Sequence, residues 1–407
     1  MHPDQPASAQ RQESLWGLFL IFLRLGLTSF GGPVAHLGYF HNEFVTKRRF
    51  LSERSYADLV ALCQFLPGPA SSQVGIAIGL LRHGYPGAIA SWAGFTLPSA
   101  IALILFALGI AHFGTLVPAE ALHGLKVVAV AIVAQAVWAM ARNLCTDAAR
   151  ISIMAVAACI ALLLPNAVGQ LSVIAAAGLV GMLAFKPDAA HAHESLPLRV
   201  SRRTGACLLL LFAGLLIGLP ILAASFPHGA IADISSFFRA GSLVFGGGHV
   251  VLPLLQSEVV PPGLVDNDTF LAGYGAAQAM PGPLFTFAAF LGASMNSSPS
   301  GWAGGLICLL AIFAPSFLLV GGAIPFWDGL RGNARMQAAL AGINAGVVGL
   351  LLAALYQPVW TSAIHQPSDF AMAILALVAL VFWKWPPWLV VLSLGAAGGA
   401  IGVMGQG

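Results

Sequence analysis

Phe22-Leu-Arg-Leu-Gly-Leu-Thr-Ser-Phe-Gly-Gly-Pro33 returns as Phe237-Phe-Arg-Ala-Gly-Ser-Leu-Val-Phe-Gly-Gly-Gly248, with six of the twelve positions identical. Gln64-Phe-Leu-Pro-Gly-Pro69 returns as Gln278-Ala-Met-Pro-Gly-Pro283, and Pro98-Ser99 returns as Pro315-Ser316. The offsets are 215, 214 and 217 residues, so two roughly equal halves run collinear with only small insertions. Both halves are apolar enough to sit in lipid. A duplicated membrane domain with matching helix-breaking motifs is the organisation of many secondary transporters.

The composition narrows the class. Of 407 residues, 58% are hydrophobic and 8% are charged, against about 25% charged in an ordinary soluble protein. Most of the chain therefore dissolves in a bilayer. A net charge of +3 gives no footing for nucleic acid. Cys63, Cys145, Cys159, Cys207 and Cys308 are scattered without metal or disulfide spacing, and most read as small packing residues. The first fourteen residues form a polar tail, and the apolar run after them lacks a signal-cleavage site.

Thirteen apolar segments follow, near 15–40, 56–80, 86–113, 121–141, 151–164, 168–185, 205–226, 234–256, 269–293, 301–323, 337–357, 370–383 and 386–404. They sort as six, one and six. An even repeat unit followed by one extra crossing starts the second copy from the opposite side of the membrane. Parity thus predicts an all-α polytopic membrane protein built of two inverted-topology repeats with broken or re-entrant helices. The divisions are a tail at 1–14, a first repeat at 15–185, a linker with a connecting helix at 186–233, and a second repeat at 234–407. The polar stretch 186–204, with His191, His193, Glu194, Arg199, Arg202 and Arg203, reads as a mobile loop rather than a metal site.

If every segment crosses, eleven loop Lys and Arg lie with the N-terminus, and only Lys47, Arg48, Arg49 and Arg54 lie opposite. The positive-inside rule then puts the N-terminus in the cytoplasm. Segments 15–40 and 56–80 each carry a breaker in mid-run. If both turn back as re-entrant hairpins, loop 41–55 also becomes cytoplasmic and all fifteen basic loop residues share one side. The mirrored hairpins at 234–256 and 269–293 leave loop 257–268 outside, with Glu258, Asp266, Asp268 and no Lys or Arg.

Broken backbone at membrane depth leaves polar groups that lipid cannot satisfy, so it is tolerated only against protein or a wet cavity. Gly31, Gly32, Pro67, Gly68 and Pro69, with Gly246, Gly247, Pro281, Gly282 and Pro283, therefore point to a shared central site. The half-helix N-termini created there suit an anion. Arg24 and Arg239 share a repeat position inside apolar segments. They either supply a planar counter-charge to an oxyanion or pair with Glu43 and Glu258, which are also repeat-equivalent.

Gln64 and Gln278 precede the Pro-Gly-Pro turns, and Ser71, Ser72, Gln73 and Thr286 follow them; all of these either donate to an anion or cap broken backbone. Lys126, opposite Asn344 in the repeat, either adds a charge to the site or anchors a helix end. His36 and His249 read as local hydrogen-bonders, and Asp58 as an interfacial carboxylate. No nucleotide-binding motif and no hydrolase constellation is present, so neither ATP nor another cofactor is called for and the chain does not read as an enzyme.

These motifs resemble the chromate ion transporter (CHR) family in its long two-domain form. The likeness lies in F-x-R-x-G-x-x-x-F-G-G at Phe22–Gly32 and Phe237–Gly247, in Q-x-x-P-G-P at Gln64–Pro69 and Gln278–Pro283, and in the two Pro-Ser pairs. Where family copies often read F-G-G-G, the first half has Pro33. The resemblance implies export of chromate, a tetrahedral divalent oxyanion, across the bacterial inner membrane, driven by the electrochemical gradient. Sulfate has the same charge and shape. A sulfate importer or exchanger, an anion channel, and a membrane scaffold or sensor without flux stay open beside it. So do homo-oligomer formation and coupling to a second ion.

Overall fold

The computed structural model describes residues 13–113, 119–185, 200–226 and 229–395. Outside them fall most of the N-terminal tail, the linker at 186–199 and the last part of segment 386–404. The helices are α1 (Leu15–Thr28), α2 (Gly32–His41), α3 (Glu53–Phe65), α4 (Ala70–Phe113), α5 (Ala119–Leu144), α6 (Ala148–Leu163), α7 (Ala167–Ala184) and α8 (Arg202–Ser225). The second half continues with α9 (Ala230–Ser242), α10 (Val251–Val259), α11 (Asn267–Ala279), α12 (Phe287–Ala293), α13 (Gly301–Ala323), α14 (Trp327–Arg331), α15 (Ala334–Ala354), α16 (Thr361–Ala363) and α17 (Pro367–Val381). The protein is an all-α polytopic membrane protein.

Five described helices are long and apolar enough to cross a bilayer: Ala70–His112, His123–Leu144, Arg202–Ser225, Gly301–Phe326 and Ala334–Ala363. Segments 151–164 and 370–383 form helices of 16 and 15 residues, short as expected. Segments 56–80 and 86–113 are separate, as expected: α4 consists of two arms that meet at non-helical His83 and Gly84, and the chain folds back there, since a Cβ on Gly79 would lie 2.2 Å from the Gly87 carbonyl oxygen. The most apolar stretch of α8 has no buried residue, as suits a connector surrounded by lipid. Asp58, in the second turn of α3, is buried against protein.

The chain reverses direction at every breaker. Arg24 and Glu43 stand 19 residues apart in sequence, which in one helix is about 28 Å, yet they form an ion pair at 2.6 Å. Arg239 and Glu258 repeat this with the same sequence separation, at 2.5–2.9 Å. Each pair joins the arm before a Gly-Gly turn to the arm after it. Around Pro67-Gly68-Pro69, the Arg82 guanidinium returns to within 4.0 Å of the Phe50 ring centre. Around Pro281-Gly282-Pro283, Phe270 and Phe287 meet with ring centres 5.1 Å apart. Segments 15–40, 56–80, 234–256 and 269–293 thus begin as four helical hairpins.

Contacts define the two ends of the bundle. A Cβ on Gly321 would lie 3.9 Å from Tyr85, and one on Gly301 would lie 3.8 Å from Leu108. The second arm of α4 and α13 therefore run antiparallel, α13 being about 35 Å long at 1.5 Å per residue. At the first end lie Phe50, Arg82 and Tyr85, with Arg48 bonded to Glu13. At the other end Lys126 meets Asp268 at 2.9 Å, Asn267 meets Ser362 at 2.6 Å and Asn296 meets the Gly263 carbonyl at 3.3 Å. Hairpins α1–α2 and α3–α4 open toward the first end, and hairpins α9–α10 and α11–α12 toward the second. Their first arms, α1, α3, α9 and α11, have 13 or 14 residues and at about 20 Å each bring the four turns to the middle level.

Glycine lets these arms approach. A Cβ on Gly241 would lie 2.2 Å from the Ile312 carbonyl oxygen, and one on the equivalent Gly26 would lie 2.7 Å from that of Phe95. Gly241→Val should therefore force α9 off α13 and cost about 1–3 kcal/mol, the usual range for overpacking. Gly109→Ala, where a Cβ meets nothing within 4 Å, should be neutral or mildly stabilising. Thermal melts of the purified protein in detergent check this, and equal midpoints for the two variants would contradict the close crossing.

Candidate functional site

The four turns are built from glycines that need left-handed backbone. Gly31 and Gly32 have φ of 101° and 75°, Gly246 and Gly247 have 75° and 151°, and Gly68 and Gly282 have 124° and 98°. Residues with a Cβ are strained in this region. The flanking prolines end one helix and start the next, since proline lacks an N–H and pre-sets the first helical φ.

The turns meet across the halves, and they do so reciprocally. The Gly68 N–H donates to the Val244 carbonyl at 2.7 Å, and the Gly282 N–H donates to the Ser29 carbonyl at 2.9 Å. Gly68 and Gly282 are repeat-equivalent, as are Ser29 and Val244, so each Pro-Gly-Pro turn is satisfied by the other half's Gly-Gly turn. The Pro-Ser pairs obey the same rule. Ser316 Oγ lies 3.1 Å from where a Cβ on Gly68 would sit, and Ser99 Oγ lies 2.7 Å from the corresponding position on Gly282. Pro33 and Gly248, equivalent to each other, touch: a Cβ on Gly248 would be 3.2 Å from Pro33 Cγ. Contacts of this exchange kind are the signature of a local two-fold relation.

Around the turns the lining is polar but uncharged. His36 is buried, with Nε2 3.2 Å from the Ser29 carbonyl and Nδ1 3.3 Å from Ser71 Oγ. Gln73 donates to the Pro67 carbonyl at 2.7 Å, and Thr286 Oγ1 donates to that of Pro283 at 2.8 Å. Ser29, Ser72, Thr96 and Ser316 are buried with hydroxyls that have no hydrogen-bond partner among the described residues, and the Gln278 amide nitrogen has none there either. Buried polar atoms normally find a partner, so an array of such donors marks a place that a ligand or ordered water completes. Ser29 and Thr96 carry no sequence signal. The recurring Pro-Ser pair was the visible pointer to Ser316.

The sequence-selected charges stand elsewhere. Arg24 and Arg239 fasten their hairpins to Glu43 and Glu258, and Arg48 adds a second bond to Glu43 at 2.7 Å. The pairing alternative is therefore realised for both arginines. The Arg24 side chain is 55% exposed and that of Arg239 26%. Gln64 is exposed, unlike Gln278. Lys126 reaches Asp268 at the start of α11, about 15 Å along that helix from Gln278, as a helix-end anchor would. His249 bonds Tyr274 at 2.9 Å, the local role expected of it. A separate pocket of about 360 Å³, lined by Gln170, Gln256 and Gln357 among others, includes none of the turn residues.

Uncharged donors around paired helix breaks can bind and release an anion without covalent chemistry. The comparisons with known proteins point the same way. The family model described as chromate transporter matches residues 16–182 and 232–402, one copy in each half. A chromate transport protein of Pseudomonas aeruginosa is 28% identical over 397 residues, covering 94% of this chain and 91% of that one. A probable chromate transport protein of Synechococcus elongatus is 28% identical, covering 91% and 90%. A chromate transport protein of Cupriavidus metallidurans is 26% identical, covering 89% and 86%. No solved structure matches the chain. With both halves matched over nearly their whole length, the chain belongs to the chromate transporter family.

Proposed function

We propose that this protein exports chromate, or a like tetrahedral dianion, from the bacterial cytoplasm through the cluster of turns at Gly31-Gly32, Pro67-Gly68-Pro69, Gly246-Gly247 and Pro281-Gly282-Pro283. The observation that carries the reading is the reciprocal bonding of those turns, which ties both halves to one place. Arg24 and Arg239, about two helical turns before the Gly-Gly breaks and held by their glutamates, act on the ion from outside the cluster, and Gln278 is a further donor. Gln64 and Lys126 stand apart from the turns and act at the approaches.

The two halves form an inverted-topology repeat, and alternating access comes from one half moving against the other. Support lies in the loop pairings. Contacts join Glu13 to Arg48 and Phe50 to Arg82 at one end, and His123 to Asp369 and Lys126 to Asp268 at the other. These sets coincide with the two sides that the positive-inside count requires when the four broken segments re-enter. The N-terminus and Lys47 are then cytoplasmic. A membrane-impermeant amine reagent should leave Lys47 unlabelled in intact cells and label it in inside-out vesicles. Labelling in intact cells would reverse the orientation.

The membrane potential suffices as the driving force. Moving two negative charges out of a cell that is negative inside gains about 4.6 kcal/mol per 100 mV, at ~2.3 per charge. That sustains a concentration ratio of about a thousandfold or more. Inside-out vesicles with an imposed potential, positive inside, should accumulate chromate, and excess sulfate should suppress the accumulation. Arg239→Ala should abolish the flux while the protein still inserts. The exchange Arg239→Glu with Glu258→Arg keeps an ion pair but moves the cation, so it should restore stability without flux. Full flux in the exchanged variant would reduce Arg239 to a structural staple, and an absence of chromate flux in the unaltered, inserted protein would overturn the export reading.

A further inference from the structure

We propose that the anion is held mainly by uncharged donors at one asymmetric place: the N-terminus of α4, between the Ser72 hydroxyl in its first turn and the Ser316 hydroxyl of the other half. This rests on the oxyanion reading above and gives it a location. α4 starts at Ala70, directly after the Pro67-Gly68-Pro69 turn, and the first N–H groups of a helix have no partner inside it. They point out of the helix with a partial positive charge, the usual seat for an anion. Helix starts are common, so the side chains decide. Ser316 is 0% and Ser72 2% exposed, and neither hydroxyl has a partner among the described residues. Ser316 Oγ is aimed at the turn leading into α4, 3.1 Å from the Cβ position of Gly68.

The second half has lost the same arrangement. Thr286, the equivalent of Ser72, spends its hydroxyl on the Pro283 carbonyl at 2.8 Å. Ser99, the equivalent of Ser316, gives its own to the Thr96 carbonyl at 3.3 Å. After Pro283 the chain forms a 3-10 turn at Leu284–Thr286 and a helix of only seven residues. Duplication produced two copies of the turn, and one of them kept free donors.

The charge arrangement fits a carrier. Arg24 and Arg239 are engaged by Glu43 and Glu258. The dianion meets hydroxyls and amides that replace its hydration shell without neutralising it. Binding of that kind is favourable enough to admit the ion and weak enough to let it leave, the condition that conduction and transport share.

The purified full-length protein in detergent tests this by thermal unfolding against sodium chromate and sodium sulfate. The unmodified protein should be stabilised by both. Ser72→Ala and Ser316→Ala remove hydroxyls that cost stability when empty, so their ligand-free midpoints should hold or rise. The anion concentration giving the same shift should increase about ten- to a hundredfold, the loss of one hydrogen bond to a charged group. Ser99→Ala removes a bonded hydroxyl and should lower the ligand-free midpoint while keeping the anion dependence. Unchanged anion dependence in Ser72→Ala and Ser316→Ala would overturn the assignment. If neither dianion stabilises the unmodified protein, the oxyanion reading itself falls, and the assignment with it.

Discussion

Lipid cannot hydrogen-bond a peptide group, so a chain that breaks its helices inside a membrane must find the missing partners within itself. Here the partners come from the other half. Gly68 takes the carbonyl of Val244 and Gly282 takes that of Ser29. Neither half can satisfy its own Pro-Gly-Pro turn by this arrangement, so duplication is built into the solution. The glycines follow from the turns, and the prolines follow from the need to stop one helix and start the next. Hairpins opening toward opposite ends of the bundle follow from the requirement that the turns meet midway.

Charge is arranged around that constraint. An arginine within an apolar segment is expensive, and here each repeat arginine is paired with a glutamate across its own turn. Those pairs fix the hairpin arms and leave the middle of the molecule to neutral donors. A site of hydroxyls and backbone N–H groups suits an ion that must be stripped of water, held briefly and released. Strong guanidinium contacts at the turns would favour holding over release. The cost is a set of buried hydroxyls with no partner among the described residues, retained against the ordinary rule of satisfaction.

Much of this was legible from residues alone. The repeated Phe-Gly-Gly and Pro-Gly-Pro motifs located all four turns, because glycine and proline act through local backbone geometry. The hairpin reading came from the positions of Lys47, Arg48, Arg49 and Arg54 relative to the other basic loops. The pairing of Arg24 with Glu43 was foreseen as an alternative to substrate contact, since both residues recur in the repeat. What stayed hidden is tertiary. Nothing in the sequence says that Ser29 and Thr96 point inward or that Asp58 is buried. The reciprocal bonds were equally invisible, because they join residues 176 and 253 positions apart through backbone atoms that carry no side-chain signature.

The account stands on the anion binding where the two halves exchange hydrogen bonds. Diffraction from crystals soaked in selenate, a tetrahedral dianion whose selenium scatters anomalously, would locate it directly. A single anomalous peak beside Ser72 and Ser316, at the start of α4, is the predicted result. A peak seated instead on the Arg24 or Arg239 guanidinium, away from the turns, would contradict it.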